Sequence, residues 1–148
     1  MIEKVISYRG CFVCGEDNAC GLKLDFYFDR RTQKAVAEFT PASHHEGYRH
    51  IVHGGIISSL LDEVMAKAIL ASGVPVVTSK LTVEFKKPAF VGQKLQAEGW
   101  ITRQKGKAYF TAGRILRSDG QVLAEGSGVY IRAEGELAEI LGESREDG

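Results

Sequence analysis

The sequence predicts an α+β domain in which one curved antiparallel sheet of five to six strands wraps one long central helix. Two observations support this prediction. One segment repeats its apolar residues with the period of a helix, and the segments around it alternate apolar and polar residues as strands do. Short turns between the later strands favour antiparallel neighbours, and a helix with a wide apolar face needs a sheet to cover it.

Length and composition are those of an ordinary globular protein. The chain has 148 residues, 44% of them hydrophobic and 26% charged. We expect a single domain over 1–148, with a cysteine-containing leader at 1–21 and an acidic tail at 134–148. The 19 basic residues balance the 19 acidic ones, which argues against nucleic acid or an acidic membrane as a partner. No apolar run has the length of a signal peptide or a membrane span, so we expect a cytoplasmic protein.

The predicted helix spans residues 56–71. Gly73 and Pro75 follow it and supply the signals that end a helix. Its apolar stripe consists of Ile57, Leu60, Leu61, Val64 and Ala68. The stripe is wide enough to form the centre of the core.

Six segments alternate like strands, at residues 22–28, 35–40, 76–87, 94–104, 107–117 and 121–132. The first two form a predicted hairpin, and the last three a meander. In the third segment Leu81, Val83 and Phe85 share the face that we expect in the core. The tail is predicted to form only a short helical turn that frays.

The start of the helix, His53-Gly54-Gly55, is the first candidate for chemistry. No Ser, Thr, Asp or Asn directly precedes the helix, so its first backbone amides have no obvious side-chain acceptor. Glycine lets a substrate oxygen approach, and the helix dipole favours negative charge there. Gly54 and Gly55 are therefore candidates for an oxyanion hole. The alternative is that they only turn a loop into a helix.

Asp62 is the second candidate, because aspartate is unfavourable in a helix interior and needs a reason. Its neighbours one turn away, Ser58 and Ala66, offer no positive charge. Glu63 differs, since Lys67 follows at the favourable spacing for a surface ion pair. We therefore assign chemistry to Asp62 and a structural role to Glu63.

Gly54 and Asp62 are too far apart to act together within one chain. Eight residues along a helix correspond to a rise of about 12 Å. Two antiparallel helices related by a twofold axis would bring Gly54 of one subunit to Asp62 of the other. The catalytic hypothesis therefore predicts a homodimer.

The helix segment and the strand after it resemble a known family. The stretch from Val52 to Asp62, then Thr78, Lys87-Pro-Ala89 and Gly92, is similar to hotdog-fold acyl-CoA thioesterases of the phenylacetate-pathway and 4-hydroxybenzoyl-CoA type. The resemblance implies the hotdog fold, a dimer or a dimer of dimers, and hydrolysis of acyl-CoA thioesters. It also assigns roles to residues. An amide of Gly54 or Gly55 polarises the thioester carbonyl, Asp62 of the partner acts as general base or nucleophile, and Thr78 orients the acid or the water.

This chain departs from those relatives at one position. They carry an asparagine six residues before the motif histidine, whereas this chain has Gly47 there. His45, Arg49 and His50 are the candidates for the missing polar contact. His53 either positions the loop or contacts the substrate.

Coenzyme A carries phosphates that need positively charged donors. Lys86 and Lys87 are the first candidates to bind them, and His45 and His50 are further candidates for substrate contact. Each lysine could equally be a solvated surface charge.

Three cysteines lie close together near the start of the chain. Cys11-x-x-Cys14 with Cys20 and a histidine, His44 or His45, could form a zinc site, but the spacing lacks a second close pair. We expect reduced, partly buried thiols and no metal. Residues 11–22 also resemble a leader found in a largely uncharacterised branch of the same superfamily.

Together these features predict a hydrolase of medium-chain or aromatic acyl-CoA, with no cofactor apart from the coenzyme A of the substrate. Two alternatives remain open. One is a non-catalytic acyl-CoA binding protein. The other is a hotdog enoyl-thioester hydratase or dehydratase that uses Asp62 with His53 or His50 as an acid and base pair.

Overall fold

Seven strands and two α-helices follow one another in the computed structural model, which describes residues 1–147. The strands are β1 (Ile2–Lys4), β2 (Tyr27–Asp29), β3 (Lys34–Phe39), β4 (Val76–Phe85), β5 (Leu95–Lys105), β6 (Ala108–Arg117) and β7 (Val122–Arg132). The helices are α1 (Gly54–Leu70) and α2 (Gly135–Ser144). A 3₁₀ turn at Ser43–His45 precedes α1. Neither α-helix of the described residues is long and apolar enough to cross a membrane.

The strands form one antiparallel sheet in the order β1-β2-β3-β5-β6-β7-β4. The predicted α+β class is confirmed, but the sheet has seven strands where we expected five to six. The additional strand is β1, which is too short to show an alternating pattern in the sequence. Strand β4 ends the sheet, so one of its edges is unpaired within the described chain.

Helix α1 packs across the sheet with the predicted stripe inward. All five stripe residues are at most 4% exposed, and Met65 and Ile69 are fully buried beside them. The helix begins at Gly54, two residues before the predicted start. On β3, Ala35, Ala37 and Phe39 are buried on the same side, as their alternation predicts.

A row of glycines lets α1 approach the sheet closely. Gly99 of β5 pairs with Gly113 of β6, which pairs with Gly126 of β7. A Cβ atom at Gly99 would lie only 2.7 Å from the backbone oxygen of Val64, and one at Gly113 would lie 3.0 Å from Cγ of Met65. The backbone of α1 therefore occupies the space of a side chain at Gly99, and the side chain of Met65 occupies it at Gly113.

The first predicted strand, 22–28, is mostly wrong, because only its last two residues, Tyr27 and Phe28, pair with β3. The preceding residues bond elsewhere. The amide of Leu22 donates to the carbonyl of Phe12 (2.8 Å), and that of Leu24 donates to the carbonyl of Val13 (2.9 Å). The segment alternates in burial as predicted, but the cysteine-containing leader takes its backbone hydrogen bonds.

The acidic tail is more ordered than we predicted, since α2 is ten residues long. Backbone bonds tie the residues after it to the leader. The amide of Arg9 donates to the carbonyl of Ser144 and the amide of Glu146 donates to the carbonyl of Ser7, both at 2.8 Å. These long-range bonds anchor a terminus that its own apolar residues would hold only weakly.

Candidate active site

The N-terminus of α1 has a side-chain cap that our sequence reasoning missed. His53 is the N-cap residue, and its Nδ1 atom accepts a hydrogen bond from the amide of Gly55 at 2.7 Å. The prediction that both glycine amides are free is therefore wrong for Gly55. Within residues 1–147 the amide of Gly54 has no hydrogen-bond acceptor, so it is the donor that remains for a ligand.

Gly54 lines a pocket of about 380 Å³ between the start of α1 and the end of β4. Its walls are mainly apolar and include Ile57, Phe85 and Leu123. Phe85 was predicted to face the core, but it is 55% exposed. Its ring lies over Gly54, where an added Cβ would be 3.3 Å from the ring edge. Phe85 therefore forms part of the pocket wall rather than the interior.

Both predicted phosphate-binding lysines line this same pocket. Lys86 forms ion pairs with Glu84 (2.5 Å) and Glu125 (3.6 Å). Lys87 is exposed and has no ion-pair partner in the described part of the chain. The structure thus separates two residues that the sequence treats alike, and Lys87 is the lysine available to a polyanion.

Asp62 lies two turns further along α1 and is held by two hydroxyl groups. The hydroxyl of Thr78 on β4 donates to Oδ1 of Asp62 at 2.8 Å. The hydroxyl of Tyr130 on β7 lies 2.9 Å from the same oxygen. Among the described residues nothing donates to Oδ2, which leaves that oxygen for a water molecule or a substrate.

Tyr130 is a site residue that sequence reasoning did not find. It is fully buried, and Thr78 is its direct partner in the β4–β7 register. Gly128 leaves room for it, since a Cβ there would lie 2.6 Å from Cε1 of the tyrosine ring. Burial and the neighbouring Asp62 carboxylate raise the pKa of Tyr130, so its hydroxyl stays protonated and donates. One sequence signal could have indicated Tyr130: a tyrosine at an inward-facing strand position has a buried hydroxyl, and a buried hydroxyl needs a hydrogen-bond partner.

Within one chain the Gly54 amide and the Asp62 carboxylate point to different places on the same helix. Their eight-residue separation corresponds to about 12 Å of rise. The pocket beside Gly54 is lined by neither Asp62 nor Thr78. A single subunit therefore does not bring the two candidate groups to one reacting atom.

The two histidines predicted to contact the substrate, His45 and His50, lie outside the pocket beside Gly54. His45 is partly buried, its Nδ1 atom accepts a hydrogen bond from the amide of Ala42 at 2.9 Å, and its ring packs against Phe39. Burial, with a smaller effect of His44, lowers its pKa. His50 is exposed, with a positive φ of 66°.

Gly47 stands where the relatives carry asparagine, and it packs against His53. A Cβ at Gly47 would lie 3.2 Å from Cδ2 of the histidine ring. Gly47, His53 and Gly54 line a second pocket of about 450 Å³ on this side of the helix start. Glycine at this position therefore lets His53 pack closely against the loop, where a larger residue would crowd the histidine.

Glu63 is not the surface residue that we predicted, since its side chain is only 16% exposed. Its ion pair with Lys67 is present at 3.6 Å, but the Lys67 side chain is only 1% exposed. The leader folds over the pair, and the Lys67 ammonium donates to the carbonyl of Ile6. A charge pair that is solvated in an isolated helix is thereby buried.

The zinc site considered from the sequence is not assembled as proposed there. Cys20 is exposed, while Cys11 and Cys14 lie together with Glu63, their Sγ and carboxylate atoms all within 4.8 Å of one another. Lys67 already supplies a positive charge to this carboxylate. The cluster thus combines two thiols with an ion pair, and its candidate ligands differ from the set of three cysteines and a histidine that we considered.

Comparison with known proteins places this geometry in context. Residues 50–124 match the sequence profile of the Thioesterase superfamily. An uncharacterised protein of Schizosaccharomyces pombe is 30% identical over 113 residues, which are 72% of this chain and 65% of that protein. The acyl-coenzyme A thioesterase THEM4 of Xenopus laevis is 23% identical over 118 residues, 79% of this chain and 53% of that protein. The chain thus spans about half to two thirds of the length of these relatives.

A solved structure shares the architecture. The Escherichia coli PaaI protein from the phenylacetic acid degradation operon superposes with a TM-score of 0.70 at 25% identity, over 77% of this chain and 82% of that one. The match confirms the predicted hotdog fold and the resemblance seen in the helix motif.

Proposed function

The chain belongs to the thioesterase superfamily, and from that premise we propose that it is an acyl-CoA thioesterase, releasing free acid and coenzyme A. The observation that carries this proposal is the Asp62 carboxyl group, whose Oδ1 is held by Thr78 and Tyr130 while Oδ2 is open. Two fixed donors orient one oxygen and leave the other for chemistry. This is the arrangement that a general base or a nucleophile needs.

The Gly54 amide is the proposed electrophilic half of the site. It has no acceptor among residues 1–147, lies at the positive end of the α1 dipole, and opens onto an apolar pocket. A thioester carbonyl oxygen placed there would receive a hydrogen bond that strengthens as negative charge develops in the transition state. Gly55 would act indirectly, because its amide holds His53 and thereby fixes the helix start.

The two halves meet in the proposed homodimer. Asp62 of one subunit would face Gly54 of its partner across a twofold axis, giving two equivalent sites. The unpaired edge of β4 lies beside Thr78 and is the surface that such a contact can use. Assembly into a dimer of dimers is compatible with the same site.

The pocket beside Gly54 fits the two ends of an acyl-CoA. Its apolar wall of Ile57, Phe85 and Leu123 suits a medium-chain or aromatic acyl group, and about 380 Å³ is in the range of small-molecule sites. Lys87 at its rim can bind a coenzyme A phosphate as a point charge.

A coenzyme A release assay with a panel of medium-chain and aromatic acyl-CoA esters tests the activity. We expect turnover by the wild type and a loss of at least about 100-fold in kcat for Asp62→Asn, in line with losses on removing catalytic groups. The control is Asp17→Asn, an exposed aspartate in the leader. Equal rates in a folded Asp62→Asn protein would remove Asp62 from the mechanism.

Saturable binding without turnover by the wild type would favour the alternative of a non-catalytic acyl-CoA binding protein. A hydrated product from an enoyl-CoA would favour the hydratase.

A proline substitution tests the Gly54 amide by itself. Gly54 is the first helical residue, where proline is tolerated, and the extended backbone of His53 (φ −58°, ψ 135°) suits a residue before proline. Gly54→Pro removes the N–H, whereas Gly54→Ala keeps it. We expect Pro to abolish turnover and Ala to retain most of it.

Subunit mixing tests the proposed dimer. Gly54→Pro and Asp62→Asn proteins, each inactive alone, should regain activity when they are unfolded and refolded together, because each hybrid dimer contains one intact site. Activity that stays absent in confirmed hybrid dimers would show that both groups act within one chain.

A further inference from the structure

A second reactive cluster lies on α1 on the side of Glu63, where the leader covers the helix. The thiol of Cys11 donates a hydrogen bond to Oε1 of Glu63 at 3.6 Å, and the two sulfur atoms and the carboxylate all lie within 4.8 Å of one another. Oε2 of Glu63 is 3.6 Å from the ammonium of Lys67. The proposed thioester chemistry uses none of these groups.

The turn that carries the two cysteines is built around the sulfur of Cys11. The amides of Val13 and Cys14 both point at this sulfur, at 3.3 and 3.4 Å. The amide of Gly15 closes the turn on the carbonyl of Cys11 at 2.9 Å. A Cβ at Gly15 would lie 2.4 Å from the carbonyl oxygen of Arg9, so the tight turn requires glycine. Hydrogen bonds donated to a sulfur stabilise its thiolate form.

The two thiols differ in access and in acidity. Cys11 is partly exposed, while Cys14 is 3% exposed beneath it. The hydrogen bond from the Cys14 thiol, with the two backbone amides, lowers the pKa of Cys11 to about 7 against the opposing effect of burial. That same bond, together with burial, raises the pKa of Cys14. Disulfide exchange requires an accessible thiolate that attacks first and a second thiol that then resolves the mixed disulfide. Cys11 and Cys14 match these two roles.

Glu63 accepts a hydrogen bond from Cys11 and lies within 4.8 Å of the Cys14 sulfur, so it is placed to take a proton from either thiol. Its side chain is only 16% exposed, and burial raises its pKa to about 7 despite Lys67. A carboxylate in this range can take a proton at neutral pH and return it. Lys67 keeps the charge of the cluster balanced while the proton moves.

We propose that Cys11 and Cys14 form a thiol–disulfide exchange site that reacts with small-molecule disulfides. The Cys11 thiolate attacks one sulfur of the external disulfide, forming a mixed disulfide and releasing one thiolate. Cys14 passes its proton to Glu63, and its thiolate attacks Cys11 Sγ and releases the second external thiolate, which takes a proton from Glu63 or from water. The two cysteines are oxidised to a disulfide while the external disulfide is reduced to two thiols.

Oxidised glutathione is the probe for the test, with intact-mass spectrometry and peptide mapping as the readout. The reduced wild type should lose two hydrogens and yield a Cys11–Cys14 linked peptide. The Cys14→Ser variant should stop at one glutathione on Cys11. Cys20 is the internal control, because it is exposed and has no such turn around its sulfur. We expect Cys11 to react about 5- to 10-fold faster than Cys20 at pH 7, because two backbone amides point at the Cys11 sulfur and stabilise its thiolate.

Glu63→Gln separates the two steps. The first attack should not slow, because the Glu63 charge raises the pKa of Cys11 and its removal favours the thiolate. The mixed disulfide on Cys11 should persist severalfold longer, because Cys14 has lost its proton acceptor. Circular dichroism of both variants confirms folding. The proposal is overturned if Cys11 reacts no faster than Cys20, if the folded wild type forms no Cys11–Cys14 bond, or if freshly purified protein carries one equivalent of zinc that blocks both thiols.

Discussion

The hydroxyl of Tyr130 lies 2.9 Å from Oδ1 of Asp62 and 3.0 Å from the backbone oxygen of the same residue. One side chain of β7 thus holds both the carboxyl group and the helix turn that carries it. Thr78 reaches the same carboxyl oxygen from β4. The position of Asp62 therefore depends on the pairing of the last strand with the sheet edge.

Tyr130→Phe should lower turnover without weakening substrate binding. Removal of the hydroxyl frees the Asp62 carboxyl group to rotate while Thr78 still holds it, so we expect kcat to fall about 10-fold at unchanged KM. This is less than the loss of about 100-fold or more expected when the acid–base group itself is removed. The loss of a buried hydrogen bond should cost about 1 kcal/mol of stability. Tyr109→Phe is the matched control, because Tyr109 is also buried and its hydroxyl meets Arg132 instead. Equal effects of both substitutions on kcat would contradict a positioning role for Tyr130.

Lys87→Ala should raise KM for acyl-CoA by about 5- to 10-fold, the equivalent of about 1 kcal/mol for an exposed charge contact. The effect should shrink as salt is added, because exposed charges are screened. Lys86→Ala should do less, since Lys86 is already paired with two carboxylates. Lys80→Ala, on strand β4 just before these two lysines, is the control. If none of the three lysines changes KM, the phosphates bind elsewhere.

Glu63 should make the protein less stable as the pH rises. Its pKa is raised by burial from 4.5 to about 7, so the folded state binds this proton more tightly than the unfolded state does. The resulting stabilisation is complete below about pH 4.5 and is lost as the pH rises through 7. Integrated over this interval it amounts to about 3 kcal/mol. The groups that face Glu63 and set this balance are Lys67, Asp62, Cys11, Cys14 and Tyr8.

Urea unfolding of the wild type and of Glu63→Gln at pH 4.5 and 7.5 measures this effect. Glutamine cannot ionise, so the variant should gain about 3 kcal/mol relative to the wild type between the two pH values. Glu139→Gln, at an exposed position of α2, should show no such change. A wild-type advantage that grows with pH would reverse the assigned direction.

Gly99→Ala should destabilise the fold by about 2 kcal/mol or more, as overpacking against a rigid group does. The added methyl would meet the backbone oxygen of Val64 at 2.7 Å, and neither the helix nor the strand can yield locally. Gly142→Ala is the control, because nothing lies within 4 Å of an added Cβ there. It should be neutral or slightly stabilising, since alanine favours the helix. Thermal unfolding of both variants compares the two positions.

The sequence predicts well those elements whose pattern repeats within one segment. The helix and strands β4 to β7 lie within two residues of the predicted bounds. It does worse where a distant segment decides the outcome. Leu22 and Leu24 follow the alternation of a strand, yet their amides donate to carbonyls of the leader. Nothing in the sequence around them indicates this hydrogen-bond partner. The same leader buries Lys67, which turns an apparent surface ion pair into an interior one.

The residues of the candidate site also fall into those that the local sequence indicates and those that depend on distant contacts. Asp62 and Gly54 stand out locally, one as an unfavourable helix residue and the other as a flexible helix start. Tyr130 does not, because its role follows from the register of β4 against β7, and strand alternation does not show which hydroxyl meets which carboxylate. The His53 cap was missed because histidine is not among the usual capping residues.

The glycine row beneath α1 decides how a mutational survey of this protein must be interpreted. Substitutions at Gly99 or Gly113 would lift the helix and carry Asp62 away from its two hydroxyl partners, so turnover would collapse at positions that no ligand ever reaches. Activity data alone would class these glycines with the reacting groups. Only paired measurements of abundance and rate would distinguish a misplaced helix from missing chemistry.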